Sequence, residues 1–249
     1  MFKRTILLST LLTVSSVALA DDWKFGIGTG FFALNIDGDV GLNTSAGPVT
    51  TPLDLSSSDV SDLMESAFGF TGFAAKGKWK INYTVSHLEL EGSENAELEN
   101  SGESIATKLN FVADGLDVNV AYKFDNGFST YVGVRNTSHE IEFDHSGPVH
   151  VIDRKLDNDW TDAYIGVAYA KAIGSDKVWV TQIDAGAGGS EGSVTFNTAL
   201  AWQFSPSWAA SLYAKHYSVE FEKGAIGDND WYLYDSAEFG VGLGIMYNW

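Results

Sequence analysis

Few residues of this sequence have the types and spacing that chemistry needs, and the most suggestive are His216 and Ser218. Glu220 follows at the same spacing, so all three would share one face of a strand, because strand side chains alternate. A histidine beside a serine can activate the hydroxyl as a nucleophile, and a lipid hydrolase could use such a set. The other interpretation is a strand with one polar face near a rim. We favour this second interpretation and predict no catalytic residue.

The remaining histidines give a weaker signal. His139 stands beside Glu140, and His145 and His150 follow, but they have the spacing of neither a metal-ligand set nor a protease dyad. We therefore predict exposed loop residues at these positions, no metal site and no cofactor. The sequence also has no cysteine, which excludes disulfides and thiol chemistry.

The balance of charge is strongly acidic. Asp and Glu number 33 against 15 Lys and Arg, for a formal net charge of −18. Nucleic acid is therefore not an expected partner, since phosphate binding needs positive charge. The acidic loops either form a solvated exterior or bind divalent cations at a cell surface, although no ligand spacing of the EF-hand kind is present.

Residues 1–20 have the pattern of a secretory signal peptide. Two basic residues precede a short apolar run, and the small-x-small sequence at 18–20 provides a cleavage site. The apolar run is too short to cross a membrane, which disfavours the alternative of a signal anchor. We expect a mature chain, residues 21–249, that forms one domain.

The C-terminal segment carries the strongest structural signal. Every second residue from Phe239 onward is bulky and apolar, while the residues between are small or polar, so a strand here has one continuous apolar face. The face consists of Phe239, Val241, Leu243, Ile245, Tyr247 and Trp249. Aromatic residues at both ends of this stripe are typical of the interfacial girdles of membrane barrels. The terminal aromatic residue resembles the signal that outer-membrane barrels present to the barrel-assembly machinery.

Ten strand-like segments divide the mature sequence, and their connections alternate in length. Short turns are predicted at 76–78, 125–127, 174–176 and 205–207. Longer loops are predicted at 37–65, 92–104, 144–158, 187–192 and 222–234. In membrane barrels the short turns lie in the periplasm and the long loops outside the cell. We predict an all-β fold, a closed antiparallel transmembrane β-barrel of ten strands in an up-and-down meander, with eight strands as the alternative and both termini in the periplasm.

A soluble β-sandwich or lipocalin-like barrel has similar alternation but is disfavoured here. The faces opposite the apolar stripes carry too little charge for a solvated exterior, and they suit a narrow lumen better. The predicted lumen residues are Lys24, Lys80, Asp117, Lys123, Arg135, Asp162, Asp184 and Glu238. These residues either fill the barrel with ion pairs or line a path for charged solutes, and we favour the first interpretation.

Two further features bear on whether the lumen is open. A wall without side chains is expected where the barrel closes, at Gly26, Gly28, Gly30, Gly240, Gly242 and Gly244. This wall would leave room for a slender path or an inserted loop. Residues 58–64 read as a short capped helix in the first loop, and this helix could fold over or into the barrel mouth.

Three stretches add a resemblance to this interpretation. The runs from Ala67 to Trp79, Tyr131 to Arg135 and Ala214 to Gly224 resemble the small porin-like outer-membrane barrels of Gram-negative bacteria, including relatives of outer membrane proteins A and W. The resemblance covers the mature chain in layout, although the internal motifs are loose. It implies location in the bacterial outer membrane, contact with its lipid and lipopolysaccharide, and assembly by the barrel-assembly machinery.

The predicted function follows from the barrel. We predict a non-enzymatic protein with porin-like passive permeation of small solutes or a structural role in the outer membrane. The alternative is a surface-interaction or adhesin barrel that acts through acidic extracellular loops. A lipid-modifying hydrolase is less favoured, because barrel lipid A deacylases continue their His-x-Ser pair with Asn, where this sequence has Val219.

Overall fold

The computed structural model describes residues 22–44, 47–97, 104–146 and 151–249, which form eleven strands and one helix. The strands are β1 (Lys24–Thr44), β2 (Gly47–Leu55), β3 (Met64–Lys76), β4 (Trp79–Glu97), β5 (Ser104–Lys123), β6 (Phe128–Ser146), β7 (Val151–Ile173), β8 (Lys177–Gly188), β9 (Gly192–Gln203), β10 (Trp208–Lys223) and β11 (Tyr232–Asn248). The helix, α1, spans Ser57–Leu63 between β2 and β3. The predicted signal peptide, residues 1–20, lies outside the described residues.

Ten of these strands form a closed barrel. From β3 to β11 each strand pairs antiparallel with the next one along the chain, and β1 pairs with both β11 and β3 to complete the ring. The predicted up-and-down barrel of ten strands is therefore confirmed. β2 is an addition to it, because β2 pairs with the part of β1 from Ile36 to Thr44, beyond the point where β1 leaves β3.

Tight turns join the strands at one end of the barrel, which we call the short-turn end. Gly77, Gly127 and Gly174 have φ angles of +59°, +88° and +72°, a left-handed conformation that glycine adopts without strain. Turns or bends occupy all four predicted positions, so these predictions are confirmed. Lys78 Nζ forms an ion pair with Asp125 Oδ1 at 2.8 Å, which links two neighbouring turns. Hydrogen bonding to Asp125 also raises the pKa of Lys78.

At the opposite end, the long-loop end, the strands run further than the sequence indicates. β1 and β2 occupy much of the segment 37–65, while β4 to β7 extend into the segments 92–104 and 144–158. The prediction of irregular loops over the whole of 37–65, 92–104 and 144–158 was therefore wrong, whereas the predicted connections at 187–192 and 222–234 contain irregular segments at 189–191 and 224–231. The described acidic side chains there, such as those of Asp37, Asp39, Asp144 and Asp157, are exposed, so the composition is loop-like although the backbone still pairs.

The outward face of the barrel carries an apolar belt next to the short-turn end. The alternating residues of β11 from Phe239 to Trp249 are between 39% and 59% exposed up to Tyr247, and Trp249 is 60% exposed. Exposed aromatic residues such as Trp79, Trp202 and Phe128 stand at the short-turn edge of the belt. The predicted lipid-facing stripe is therefore an exposed surface. No helix among the described residues is long and apolar enough to cross a membrane.

Inside the barrel, apolar side chains gather toward the long-loop end. One cluster consists of Phe32, Leu34, Ile36, Val60, Leu88, Leu90, Val180, Ala199 and Tyr213. A second consists of Ile141, Trp160, Tyr217, Val219, Phe221, Tyr232 and Tyr234. Leu53 of β2 packs against both clusters. Together the two clusters and Leu53 form what we call the apolar layer.

Candidate functional site

The centre of the lumen holds one arginine between two carboxylates. Arg135 on β6 donates from Nε to Asp117 Oδ2 on β5 at 3.1 Å and from Nη2 to Asp184 Oδ1 on β8 at 3.2 Å. Tyr131 donates to Asp184 at 3.1 Å, and Tyr164 donates to Asp117 at 2.5 Å. The Asp184 side chain is only 3% exposed, so this network compensates for removing its charge from water.

Two glycines allow the tyrosines to reach the carboxylates. A Cβ atom at Gly166 would lie 2.3 Å from the ring of Tyr131, and one at Gly133 would lie 2.5 Å from the ring of Tyr164. Each tyrosine therefore lies flat over a glycine of the neighbouring strand. Without these glycines the rings could not cross the sheet surface at this height.

A second cation completes a polar wall beside this network. Arg135 Cζ and Lys215 Nζ lie 5.0 and 5.3 Å from the ring centroid of Tyr217. Within the described protein, Arg135 Nη1, Tyr217 Oη, Thr195 Oγ1 and Asn197 Oδ1 are buried and have no hydrogen-bond partner. All five residues line the central cavity, so this wall presents donors and acceptors to whatever occupies it.

That cavity has a volume of about 530 Å³. It extends from Gly77 and Asp125, in the turns at the short-turn end, to Phe111 and Tyr234 at the apolar layer. Small alanine and valine side chains of β7 and β8 form one side of it, and polar side chains of β4 and β5 form another. This volume is in the range of small-molecule pockets.

His139 lines the cavity next to the apolar layer, although the sequence predicted an exposed loop residue. It is 2% exposed, and its Nδ1 is 2.9 Å from Tyr232 Oη. Its ring packs edge-on against Trp160 and Tyr234 at centroid distances of 4.8 and 4.6 Å. The predicted loop begins only at residue 144, so the error concerned the face of the strand: β6 turns the side chain of residue 139 inward. The side chains of His145 and His150 lie outside the described part of the structure.

The helix α1 is held at the edge of the apolar layer. Ser56 caps it in a reciprocal capping box with Asp59, and hydrogen bonds from Ser56 lower the pKa of Asp59. The backbone N–H of Ser57 donates to Asn35 Oδ1 at 2.9 Å, which ties the helix to β1. Val60 is fully buried among the inward side chains of β1 and β4. The helix predicted at 58–64 is thus present at 57–63, and it faces the lumen.

Most of the predicted lumen residues border the cavity. Those that line it are Lys80, Asp117, Lys123, Arg135, Asp184 and Glu238. Asp162 is 1% exposed and does not line it; its carboxylate instead accepts hydrogen bonds from Ser190 and Ser193, which fastens the β8–β9 connection to β7. Lys24 is half-buried at the short-turn end of β1, away from the cavity.

Sequence reasoning missed Lys215 and Tyr217, which lie on the inward face of β10. Strand alternation around His216 could have found them. His216 and Ser218 themselves lie on the outward face, where His216 stands opposite Phe196 of β9 and Phe239 of β11. Neither residue reaches the lumen, in keeping with a polar strand face near the end of the apolar belt.

The expected glycine wall is present in the backbone but is not open. Gly30 pairs with Gly244 where β1 meets β11. A Cβ atom at Gly242 would lie 2.3 Å from the ring of Tyr213, and one at Gly26 would lie 2.3 Å from the ring of Phe73. These rings cover the wall at Gly26 and Gly242, so the expected free space is absent at these two positions.

Comparison with known proteins supports the fold. No family model matches the sequence, and no curated protein matches it. The outer membrane protease OmpT from Escherichia coli is 10% identical, and the match covers 94% of this chain and 99% of that chain with a TM-score of 0.50. Ail of Yersinia pestis, in complex with a heparin analogue, is 8% identical over 92% of this chain and 99% of that chain, with a TM-score of 0.36.

Neisserial surface protein A also matches, with 8% identity over 90% of this chain and 96% of that chain and a TM-score of 0.32. Of these three, only the likeness to OmpT is close enough to bear on structure, and it bears on the fold alone. Together with ring closure and the apolar belt, it shows that the chain has the fold of a Gram-negative outer-membrane β-barrel.

Proposed function

We propose that this barrel spans the bacterial outer membrane and lets small polar solutes pass through its lumen, without chemistry on them. The cavity of about 530 Å³ is the observation that carries this proposal. Ion pairs that filled the barrel, which the sequence favoured, would leave no such space. The ion pairs exist, but they concentrate around Arg135 and leave a lined cavity beside them.

The two ends of the barrel differ, and this difference supports one orientation of the barrel in the membrane. The apolar belt adjoins the short-turn end, and the long strands project from its other side. Because short turns face the periplasm in barrels of this kind, the cavity lies on the periplasmic side and the apolar layer faces the exterior. Trp23 and Trp249 flank the short-turn end, which corresponds to periplasmic termini.

The apolar layer acts as the closed gate in this proposal, and the segment from β2 through α1 is its movable part. β2 pairs with β1 along one edge only, and α1 lies outside the ring of ten strands. This segment can therefore shift without breaking a wall pairing. Val60 and Leu53 are the side chains that would leave the layer when it moves.

Single-channel conductance of refolded residues 21–249 in planar bilayers tests the gate. Val60→Asp places a charge in the buried cluster, while Ser61→Asp places the same charge on the exposed face of α1, one residue away. We expect Val60→Asp to open at least about tenfold more often than Ser61→Asp, since about 1.4 kcal/mol of destabilisation suffices for that factor. A gel-mobility assay of heated and unheated samples verifies that both variants form the barrel.

A version lacking residues 52–64 provides the second variant. It should conduct in stepwise currents whose ion preference changes with Lys215→Gln, because Lys215 lines the path. Silence in both Val60→Asp and the deletion, with the barrel folded, would contradict the permeation function.

A second candidate function uses the outer surface. Beyond the apolar belt the described outward side chains include several acidic residues, and Lys155 Nζ bridges Glu140 and Glu142 at 2.5 and 3.1 Å. Such a surface suits a partner of positive charge, or divalent cations shared with lipopolysaccharide. Among the described residues no three acidic or histidine side chains converge on one metal position. Calcium-dependent binding of the folded barrel to lipopolysaccharide vesicles, lost in a Glu140→Gln/Glu142→Gln variant, would support this role.

A further inference from the structure

Three side chains on adjacent strands form a hydrogen-bonded chain on the outward face of the barrel. Ser66 Oγ on β3 lies 3.0 Å from His87 Nε2 on β4, and His87 Nδ1 lies 2.7 Å from Asp114 Oδ1 on β5. When Nδ1 donates to the carboxylate, Nε2 is left as the acceptor for the serine hydroxyl. A nucleophile, a general base and an orienting carboxylate are linked in this order in serine hydrolases.

The imidazole of His87 is held in one orientation, and the group formed by Ser66, His87 and Asp114 is partly exposed at the surface. The side chains of His87 and Asp114 are 20% and 59% exposed. The ring of Phe68 stacks on the imidazole with centroids 4.8 Å apart, so packing and a hydrogen bond hold the same ring. A base held in one orientation is what proton transfer requires.

The backbone around Ser66 also suits catalysis. The register of β3 against β4 shifts between Met64 and Ser66, and such bulges re-aim side chains. The carbonyl of Gly69 accepts a hydrogen bond from Thr29 Oγ1 of β1 at 2.8 Å, so by alternation the N–H of Ala67 points toward the same edge. The β1–β3 pairing covers Thr71 to Ala75 and ends before this stretch, and the N–H of Ala67 is the donor that an oxyanion formed at Ser66 would meet.

The position of the set indicates a lipid substrate. Phe70 and Val85 lie below it and expose 47% and 39% of their surface in the apolar belt. With about 3.3 Å per residue and a strand tilt of about 40°, the path from Trp79 to His87 rises roughly 20 Å, close to the height of the hydrocarbon band. The hydroxyl of Ser66 therefore lies near the boundary where the acyl esters of membrane lipids are found.

We propose that Ser66, His87 and Asp114 form an esterase site that hydrolyses an acyl ester of a membrane lipid. Ser66 Oγ attacks the ester carbonyl carbon as His87 Nε2 takes the hydroxyl proton. The ester C–O bond then breaks, the leaving alcohol takes that proton, and the acyl group stays on Ser66. Water attacks the acyl group, gives a proton to Nε2, and the serine leaves with that proton as the fatty acid is released.

Glu89 competes with the base for the serine hydroxyl. Its Oε2 accepts from Ser66 Oγ at 3.0 Å, so two acceptors share one hydroxyl proton. Glu89→Gln keeps an acceptor at this position and removes the charge. We expect its activity to stay within about tenfold of the parent protein, because His87 remains as the base.

The test uses refolded residues 21–249 and a fluorophosphonate probe, which labels activated serines. Labelling should map to Ser66 and disappear in Ser66→Ala and His87→Asn. The matched control is the pair Ser218→Ala and His216→Asn, which alters a serine and a histidine on the same outward surface and should leave labelling unchanged. Fatty-acid release is then measured from phosphatidylethanolamine vesicles and from lipopolysaccharide separately, which identifies the source of the ester.

Asp114 acts through His87 as a positioning residue. Asp114→Asn should lower kcat for ester hydrolysis by at least about 100-fold and leave KM within a few-fold, because substrate does not touch it. Ser66→Ala should leave channel conductance unchanged, so the outcome is independent of the permeation function. Labelling that persists in Ser66→Ala, or a folded parent protein that releases no fatty acid from either lipid, would overturn the proposal.

Discussion

The guanidinium of Arg135 on β6 meets the carboxylate of Asp184 on β8 at 3.2 Å, although β7 lies between these strands in the sheet. The contact is possible because β7 presents Gly166 at this height, which pairs with Asp184 and carries no side chain. One arginine thereby connects β5, β6 and β8 through Asp117 and Asp184. Asp184 is almost fully buried, so its carboxylate oxygens rely on Arg135 and Tyr131 for their hydrogen bonds.

Arg135→Met tests that dependence. The substitution leaves two carboxylates in the lumen without their cation, and we expect a loss of about 3 kcal/mol in the free energy of unfolding. Urea titration of the barrel in lipid vesicles measures this loss. The triple variant Arg135→Met/Asp117→Asn/Asp184→Asn removes the charges together and should recover most of the lost stability. An unchanged unfolding midpoint in Arg135→Met alone would show that the carboxylates do not need the arginine.

Gly166→Ala tests the space that the network uses. The new Cβ would lie 2.3 Å from the ring of Tyr131, which is itself held by its hydrogen bond to Asp184, so the ring must move. We expect a loss of about 1–3 kcal/mol in the free energy of unfolding, measured in the same vesicles. Gly192→Ala is the control, because a Cβ there meets no atom within 4 Å, and it should change stability by less than about 0.5 kcal/mol. Tyr131→Ala should restore the stability of Gly166→Ala if the clash with this ring is the cause.

The alternation of side chains was sufficient to predict the barrel, its ten strands and its turns. In each strand of the apolar belt one face contacts lipid and the other faces the lumen. Apolar residues therefore recur at every second position of the sequence. The extensions at the long-loop end were not predictable in this way, because their outward faces contact water and carry Asp and Glu. β2 was missed as well, and its pairing with β1 became evident only from the backbone.

The candidate sites show a second limit of sequence reasoning. The tight turn at Gly77 sets the register of β3 and β4, so the proximity of Ser66, Phe68 and His87 could have been counted from it. The position of Asp114 could not, because a loop was predicted at 92–104 between the two strands, and a loop of that length leaves their register open. A search within single strands found His216 and Ser218 instead of a set distributed over three strands.

We expect low pH to weaken the N-terminal capping of α1, and the direction of this effect follows from the pKa of Asp59. Hydrogen bonds from Ser56 lower the pKa of Asp59 below its ordinary value of 3.8. A lowered folded-state pKa means that the ionised carboxylate stabilises the helix above about pH 3.8 and that this contribution is lost as pH falls through the folded pKa. In planar bilayers the frequency of channel opening should therefore rise as pH falls in this range. Asp59→Asn should remove that dependence, and an identical pH response in both proteins would contradict a role for the cap in gating.

The side chain of Trp249, and not only its backbone, should contribute to closure of the barrel. Trp249 and Phe25 exchange two backbone hydrogen bonds of 3.0 Å across the junction of β11 and β1, and their rings stack with centroids 5.8 Å apart. Trp249→Ala keeps the backbone bonds but removes the ring contact, so closure should be slower while the finished barrel remains intact. The measurement is the rate of appearance of folded protein in membranes that contain the barrel-assembly machinery. Trp202→Ala is the matched control, since this tryptophan is also exposed at the short-turn end but lies on β9, away from the junction. Equal slowing in both variants would mean that aromatic residues act there only as part of the interfacial girdle, whereas selective slowing in Trp249→Ala would locate the assembly signal at the closing strand.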